Sequence, residues 1–249
     1  MKTKSKYVTV AKKHNLPQPK KNISQDLITV VILYDIELHR MKSYGPLPLI
    51  DIQGKKLIDL QISSIRKYFK NIEIILCVSS SADKIHKYIK QKYKDVPIRI
   101  VENQNFNCSN SIESVRLSLN NTLNNKILII NGDLILSESI SFIDTKNTCI
   151  LMEANPSENL DIGVNVDENN IAQHFSYGAS KIWSEILFLH NEDFIECFRK
   201  NIHTNYNKNK FMFEILNDLI KTKNNIVCIP NSHRIEKISN IKTYNRIKD

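Results

Sequence analysis

Glycine is scarce in this chain. Only Gly45, Gly54, Gly132, Gly163 and Gly178 occur among 249 residues. Neither G-x-x-x-x-G-K-[ST] nor G-x-G-x-x-G is therefore present, the two loops that use glycine to bring backbone N–H groups onto phosphates. H-E-x-x-H and G-x-S-x-G are also missing, which sets aside zincin and nucleophile-elbow hydrolase motifs. No apolar run approaches the ~20 residues of a membrane-spanning helix. The amino-terminal stretch is charged and has no apolar segment, so no secretory leader is expected. Five cysteines (Cys77, Cys108, Cys149, Cys197, Cys228) are odd in number, widely spaced and free of C-x-x-C pairs. They read as reduced thiols of a cytoplasmic protein, with neither a disulfide framework nor a zinc site. The seven histidines lack metal-ligand spacing.

What is present is an uneven charge. The formal net charge is +9, yet residues 1–22 carry seven lysines and no acid, leaving 28 basic residues to face 26 acidic ones. The excess belongs to a tail. Pro17 and Pro19 close it off, and residues 1–25 read as a solvated, poorly ordered extension. Such a tail could meet an acidic partner. Nucleic acid is disfavoured as its ligand, because it has no arginine and Tyr7 alone to stack. Residues 26–249 are long enough for one sizeable core.

That remainder alternates strand and helix. Leu27–Tyr34 is a short, β-branched, apolar run suited to the centre of a parallel sheet. Residues 55–69 follow as a helix, 71–79 as a strand, 81–93 as a helix capped at Ser81-Ala-Asp83, 97–102 as a strand, 110–123 as a helix and 126–131 as a strand. Residues 148–153 and a hairpin around 167–170 add strands, and 191–201 and 208–222 add amphipathic helices. Alternation of this kind implies βαβ crossovers and an α/β fold with a mainly parallel sheet. Ligands of such sheets bind at the carboxyl ends of the strands. That rule gathers Tyr34, Asp35, Ser79–Ser81, Asn103 and Asp133 at one rim.

The loop after the first strand carries a resemblance. Leu33, Arg40 and Met41, then Pro46, Pro48 and Leu49, then Gly54, Lys55, Leu57, Ile58 and Asp59 resemble the three successive blocks of the nucleotidyltransferase superfamily with the GT-A-like fold, comprising the sugar-1-phosphate and phosphocholine nucleotidyltransferases and their MobA-like relatives. The stretch from Asn103 through Asn110 to Ser114, Ile129–Asp133 with its Gly-Asp, the 161–177 hairpin, Lys181–Leu189 and Phe213–Asn217 are similar to later family segments. The resemblance implies a Rossmann-like fold with helices on both sheet faces and transfer of a nucleotidyl group from an NTP, CTP favoured, to a sugar phosphate or phosphocholine. It implies Mg²⁺ at Asp133, with Glu236 as a second carboxylate. Arg40 and Lys42 would be the cations for the triphosphate. Tyr34, Asp35, Ser79, Asn103, Asn110 and Ser114 would surround the nucleotide, and Trp183 would either pack in the core or face a quaternary ammonium. The chain departs from the pattern at the loop glycines, replaced by Ile36 and Leu38, at the loop lysine, replaced by Leu47, and at the second metal aspartate, replaced by Ile238. These departures raise an alternative, a degenerate member that binds a nucleotide or a protein without catalysing transfer.

Overall fold

The first strand organises everything that follows, and its seven residues are all buried. The computed structural model describes residues 27–248 except 37, 39, 80, 121, 123, 137, 154–160 and 232–234. The lysine tail with Tyr7, Pro17 and Pro19, and also His14, Glu37, His39, Ser80, His233 and Arg234, lie outside the described residues. In chain order the elements are β1 (Ile28–Tyr34), β2 (Asp51–Ile52), β3 (Lys55–Lys56), α1 (Leu57–Tyr68), β4 (Ile72–Val78), α2 (Ala82–Lys92), β5 (Ile98–Glu102), α3 (Ser111–Leu119), β6 (Lys126–Asn131), β7 (Leu134–Ile135), β8 (Cys149–Glu153), β9 (Ile162–Val166), β10 (Ala172–Tyr177), β11 (Lys181–His190), α4 (Glu192–Ile202), α5 (Met212–Lys221), β12 (Val227–Asn231), β13 (Glu236–Lys237) and α6 (Ile241–Ile247).

The large sheet runs β10-β9-β11-β6-β1-β4-β5, with β8 pairing β11 and β12 pairing β8. Strands β6, β1, β4 and β5 are parallel, while β11 returns antiparallel to both β6 and β8. Side chains alternate across a strand, so β1 feeds two cores. Val30 and Ile32 pack in one cluster with Ile58 and Ile62 of α1, Ile85 of α2 and Tyr244 of α6. Val31 and Leu33 pack in the other with Ile112 and Val115 of α3, Phe198 of α4 and Leu216 of α5. A β-branched strand that is apolar on both faces is therefore covered by helices on both, as the resemblance implied.

Boundaries differ from the sequence reading for local reasons. Residues 55 and 56 do not open α1 but pair with β2 as a hairpin, whose turn residues Gln53 and Gly54 both have positive φ, 50° and 76°, a conformation glycine adopts freely. Ser81 stands at the start of α2 with φ 58° and makes no side-chain cap bond; its carbonyl instead accepts from Lys84 and Ile85. The α3 helix stops at Leu119, short of 123, and α5 begins at Met212, preceded by a 3-10 turn over Asn205–Asn209.

Helices α1 and α2 are tied by one carboxylate. Asp59 accepts hydrogen bonds from Tyr88 Oη at 2.6 Å, Tyr93 Oη at 2.5 Å and Lys92 Nζ at 2.6 Å. Burial works against its charge, but these three donors hold its pKa below the usual carboxylate range.

Candidate active site

The order β6-β1-β4-β5 contains a reversal. From β1 the chain crosses to β4 on one side and, after β5, returns to β6 on the other, so β1 and β6 flank a topological switch point where a crevice opens beyond the strand ends. A cleft of about 340 Å³ lies there. Asp35, the residue after β1, and Asn131 and Asp133, at the end of β6, form its floor, and Glu185 of β11 and Lys237 of β13 face them.

Asp133 is held deep in this floor by the glycine before it. A Cβ on Gly132 would lie 2.4 Å from the Tyr34 ring and 2.5 Å from the Leu33 carbonyl oxygen, while the Gly132 N–H donates to that carbonyl at 2.8 Å. The glycine thus serves close packing against β1, and not the approach of a ligand. Asp133 is 2% exposed, and its Oδ1 is buried with no hydrogen-bond partner among the described residues. Burial pushes its pKa up to about 7, the Lys237 ammonium opposing and the Glu185 carboxylate reinforcing the shift. Glu185 sits at a bulge in β11, where the register against β8 shifts between Trp183 and Leu187, with φ 57°. A positive φ on a non-glycine strand residue costs free energy, and such strain concentrates at functional sites. The bulge aims Glu185 at the cleft, where Asn131 Nδ2 donates to Oε2 at 2.5 Å and Lys237 Nζ to Oε1 at 2.6 Å. The same ammonium lies 3.9 Å from Asp133 Oδ2. Burial works against the lysine's charge, but Asp133 and Glu185 outweigh it and hold its pKa above the ordinary range.

The residues singled out in the sequence divide into groups. Asp35, Asn103 and Ser114 are joined: the Ser114 hydroxyl donates to Asp35 Oδ2 and accepts from Asn103 Nδ2 at 2.8 Å. Ser114 and Asn103 are fully buried, so they position Asp35 instead of touching a nucleoside. Burial raises the Asp35 pKa against these hydrogen bonds. Asn110 lines the cleft and ties it to the 3-10 turn through the Asn209 carbonyl. Lys42 and Ser79 line a neighbouring groove of about 310 Å³ with Ser81, Lys84 and Leu47, and Arg40 is an exposed turn residue with φ 60°.

Two readings need correction. Tyr34 offers no hydroxyl to a nucleotide: it is 3% exposed and donates to Gln61 Oε1, and Gln61 is in turn anchored to the Gly132 and Leu134 carbonyls. Glu236 does not join Asp133. It is exposed, because side chains alternate along β13 and Lys237 takes the face toward the cleft. The Ile238 N–H donates to the Asp133 carbonyl at 2.8 Å, and its side chain is fully buried in the core. The carboxylate that does face Asp133 is Glu185.

Sequence reading missed Asn131, Glu185 and Lys237, and the far wall of the cleft. Only an acid inside the apolar run of β11 hinted at Glu185. The wall is aromatic: Tyr177 packs edge-on against Phe213 with centroids 5.7 Å apart, and Phe211 stacks on Phe213 at 5.9 Å. Tyr177 and Phe211 are 55% and 44% exposed. Trp183 lies behind them, 6% exposed, with its indole N–H donating to the Ile186 carbonyl and its ring against Phe175.

A switch-point cleft between four parallel strands and a returning antiparallel strand, with helices on both faces, is a fold that this chain shares with solved nucleotide-transferring enzymes. Among solved structures it is similar to the CTP:phosphocholine cytidylyltransferase of Streptococcus pneumoniae, at TM-score 0.74 and 18% identity over 89% of this chain and 97% of that one. It is similar also to the inositol-1-phosphate CTP transferase of T. maritima (TM-score 0.68, 14% identity, 88% and 91% covered) and to HddC of Yersinia pseudotuberculosis (TM-score 0.67, 20% identity, 88% and 97% covered). No protein-family model and no curated protein matches the sequence. No helix among the described residues is long and apolar enough to cross a membrane.

The resemblance implies a divalent metal, and the residues present do not fit one. A hard cation of the Mg²⁺ type binds through one or two open carboxylates, its shell completed by water and phosphate oxygens. Both Glu185 oxygens already accept from Asn131 and Lys237, an ammonium stands between the two carboxylates, and Glu236 points away. Among the described residues no three His, Cys, Asp or Glu side chains converge to hold a metal.

Proposed function

We propose that the chain is a nucleotidyltransferase that joins a nucleotide, from CTP in preference to other NTPs, to a phosphorylated small molecule such as phosphocholine or a sugar phosphate. The observation that carries this reading is the switch-point cleft itself, polar on its β1–β6 floor and aromatic on its far wall. An oxygen of the acceptor phosphate attacks the α-phosphate, the α–β P–O bond breaks, and pyrophosphate leaves. Lys42 and Lys84 line the groove beside β1, and with Arg40 of the same loop would meet the triphosphate there. Asp35, fixed by Ser114, and Asn110 would orient the nucleoside, since a pre-positioned acceptor and amide need no reorganisation on binding. The rings of Tyr177, Phe211 and Phe213 would hold the acceptor. They favour a cationic head group such as phosphocholine over a neutral sugar. Two of the similar structures named above are CTP-using transferases, which supports cytidine as the base.

The test is a thermal-shift screen against CTP, UTP, GTP and ATP, followed by pyrophosphate-release assays with phosphocholine and sugar 1-phosphates. CTP at about 100 times its dissociation constant would stabilise the fold by about 2.7 kcal/mol. Stabilisation without pyrophosphate release from any acceptor would favour a nucleotide-binding module. No stabilisation by any nucleotide would overturn the proposal.

A further inference from the structure

We propose that Lys237 is the resident cation of this cleft, and that the protein therefore binds its phosphate-bearing ligand without a divalent metal ion; the ligand rests on the reading above, the cation does not. Three features lead here. The Lys237 ammonium sits 2.6 Å from Glu185 and 3.9 Å from Asp133, which is where a cation shared by these two carboxylates has to lie. Its aim is built into the chain: β13 pairs with β7 in a register that sets Lys237 opposite Leu134, the residue after Asp133, and Ile238 anchors the strand in the core. Glu185 is then closed to a further cation by its two donors, and the same ammonium already stands against Asp133 Oδ2. An ammonium attached to the chain is present at an effective concentration that a free ion does not reach. A hard cation would also have to strip both the lysine and Asn131 before gaining two protein ligands.

The lysine supplies one charge where a divalent ion would bring two, so the remaining positive charge for a polyphosphate falls to the groove cations. Binding should thus depend on ionic strength and not on chelator. The carboxylate pair is a latent metal site, and removing the lysine should open it.

The experiment titrates Mn²⁺ into the full chain, followed by the loss of the free-ion paramagnetic resonance signal, for the wild type, Lys237→Ala and Lys237→Ala with Glu185→Gln. The wild type is expected to show no saturable binding. Lys237→Ala should gain a single site, tighter than any residual wild-type binding by roughly tenfold or more, as expected for adding carboxylate ligands to a hard cation, and the double variant should lose it. Lys237→Met, which keeps the stem's packing, replaces the alanine variant if that fails to fold by circular dichroism. Saturable wild-type binding that disappears in Asp133→Asn overturns the proposal, and so does an absence of binding in the wild type and the lysine variants alike. No nucleotide enters these titrations, so their failure leaves the transferase reading to its own test. As a second readout, the melting-temperature shift produced by CTP in the wild type should be the same in excess chelator as in Mg²⁺. A shift seen only with metal overturns the inference while leaving nucleotide binding intact.

Discussion

Asp59 and Asp133 are two carboxylates of one chemistry placed in opposite circumstances. Asp59 receives three donors from α2 and the residue after it, and its charge is favoured. Asp133 is more deeply buried, keeps one oxygen without a partner, and has its charge disfavoured. Satisfied buried networks hold elements together, whereas an unsatisfied buried acid destabilises the fold and marks a place kept for something else. The difference shows where this molecule is built for rigidity, along α1 and α2, and where it carries strain, at the β6 and β11 ends of the cleft.

The sharpest break in this contrast is at Gly132, which places Asp133. A methyl there meets a backbone carbonyl that cannot yield, so Gly132→Ala should cost about 3 kcal/mol in urea unfolding, at the upper end of overpacking effects. A change within experimental error would show that β1 and β6 do not need to approach so closely. Next comes Asp59→Ala, which strands two tyrosine hydroxyls and should cost about 2 kcal/mol, with α2 exchanging its amide hydrogens faster than β4. Uniform protection across both would mean that the three bonds do not couple the helices.

Asp133→Asn should have the opposite sign. The folded protein keeps the Asp133 proton up to about 7, while the unfolded chain releases it near ~4. The folded state therefore binds more protons in that window, and wild-type stability falls as pH rises through it. The asparagine variant lacks this slope and should exceed the wild type in stability near pH ~8, the gap closing toward pH ~4. Parallel stability curves for the two proteins would contradict the origin assigned to the shift. The smallest effect is expected at Lys92, half exposed beside Asp59: Lys92→Met should change stability by less than about 0.5 kcal/mol, since water screens such pairs. A larger loss would mean that the lysine, and not the two tyrosines, dominates the Asp59 network.

How much of this was legible in the chain depends on the range of the interactions concerned. The strands β1, β4, β5 and β6 could be read because apolar, β-branched runs between turn residues are local patterns. Helices on both faces were implied by the resemblance, and a first strand apolar on both faces is consistent with them. The rim rule gathered Asp35, Asn103 and Asp133 correctly, because strand ends follow from strand boundaries. Capping was less legible: Ser81 has a capping side chain but a left-handed backbone that does not use it.

The sequence by itself determined the α/β architecture, the placement of Asp35 and Asp133 at strand ends, and the absence of the usual phosphate-cradling glycines. These rest on periodicity and residue type, which act over a few neighbours. Only the tertiary structure decided which carboxylate faces Asp133, because that depends on a bulge in β11 and on whether Glu236 or Lys237 takes the inner face of β13. Such a choice turns on strand register, where a slip of one residue exchanges the two faces. It is fixed by Ile238 seated in a core assembled from distant parts of the chain.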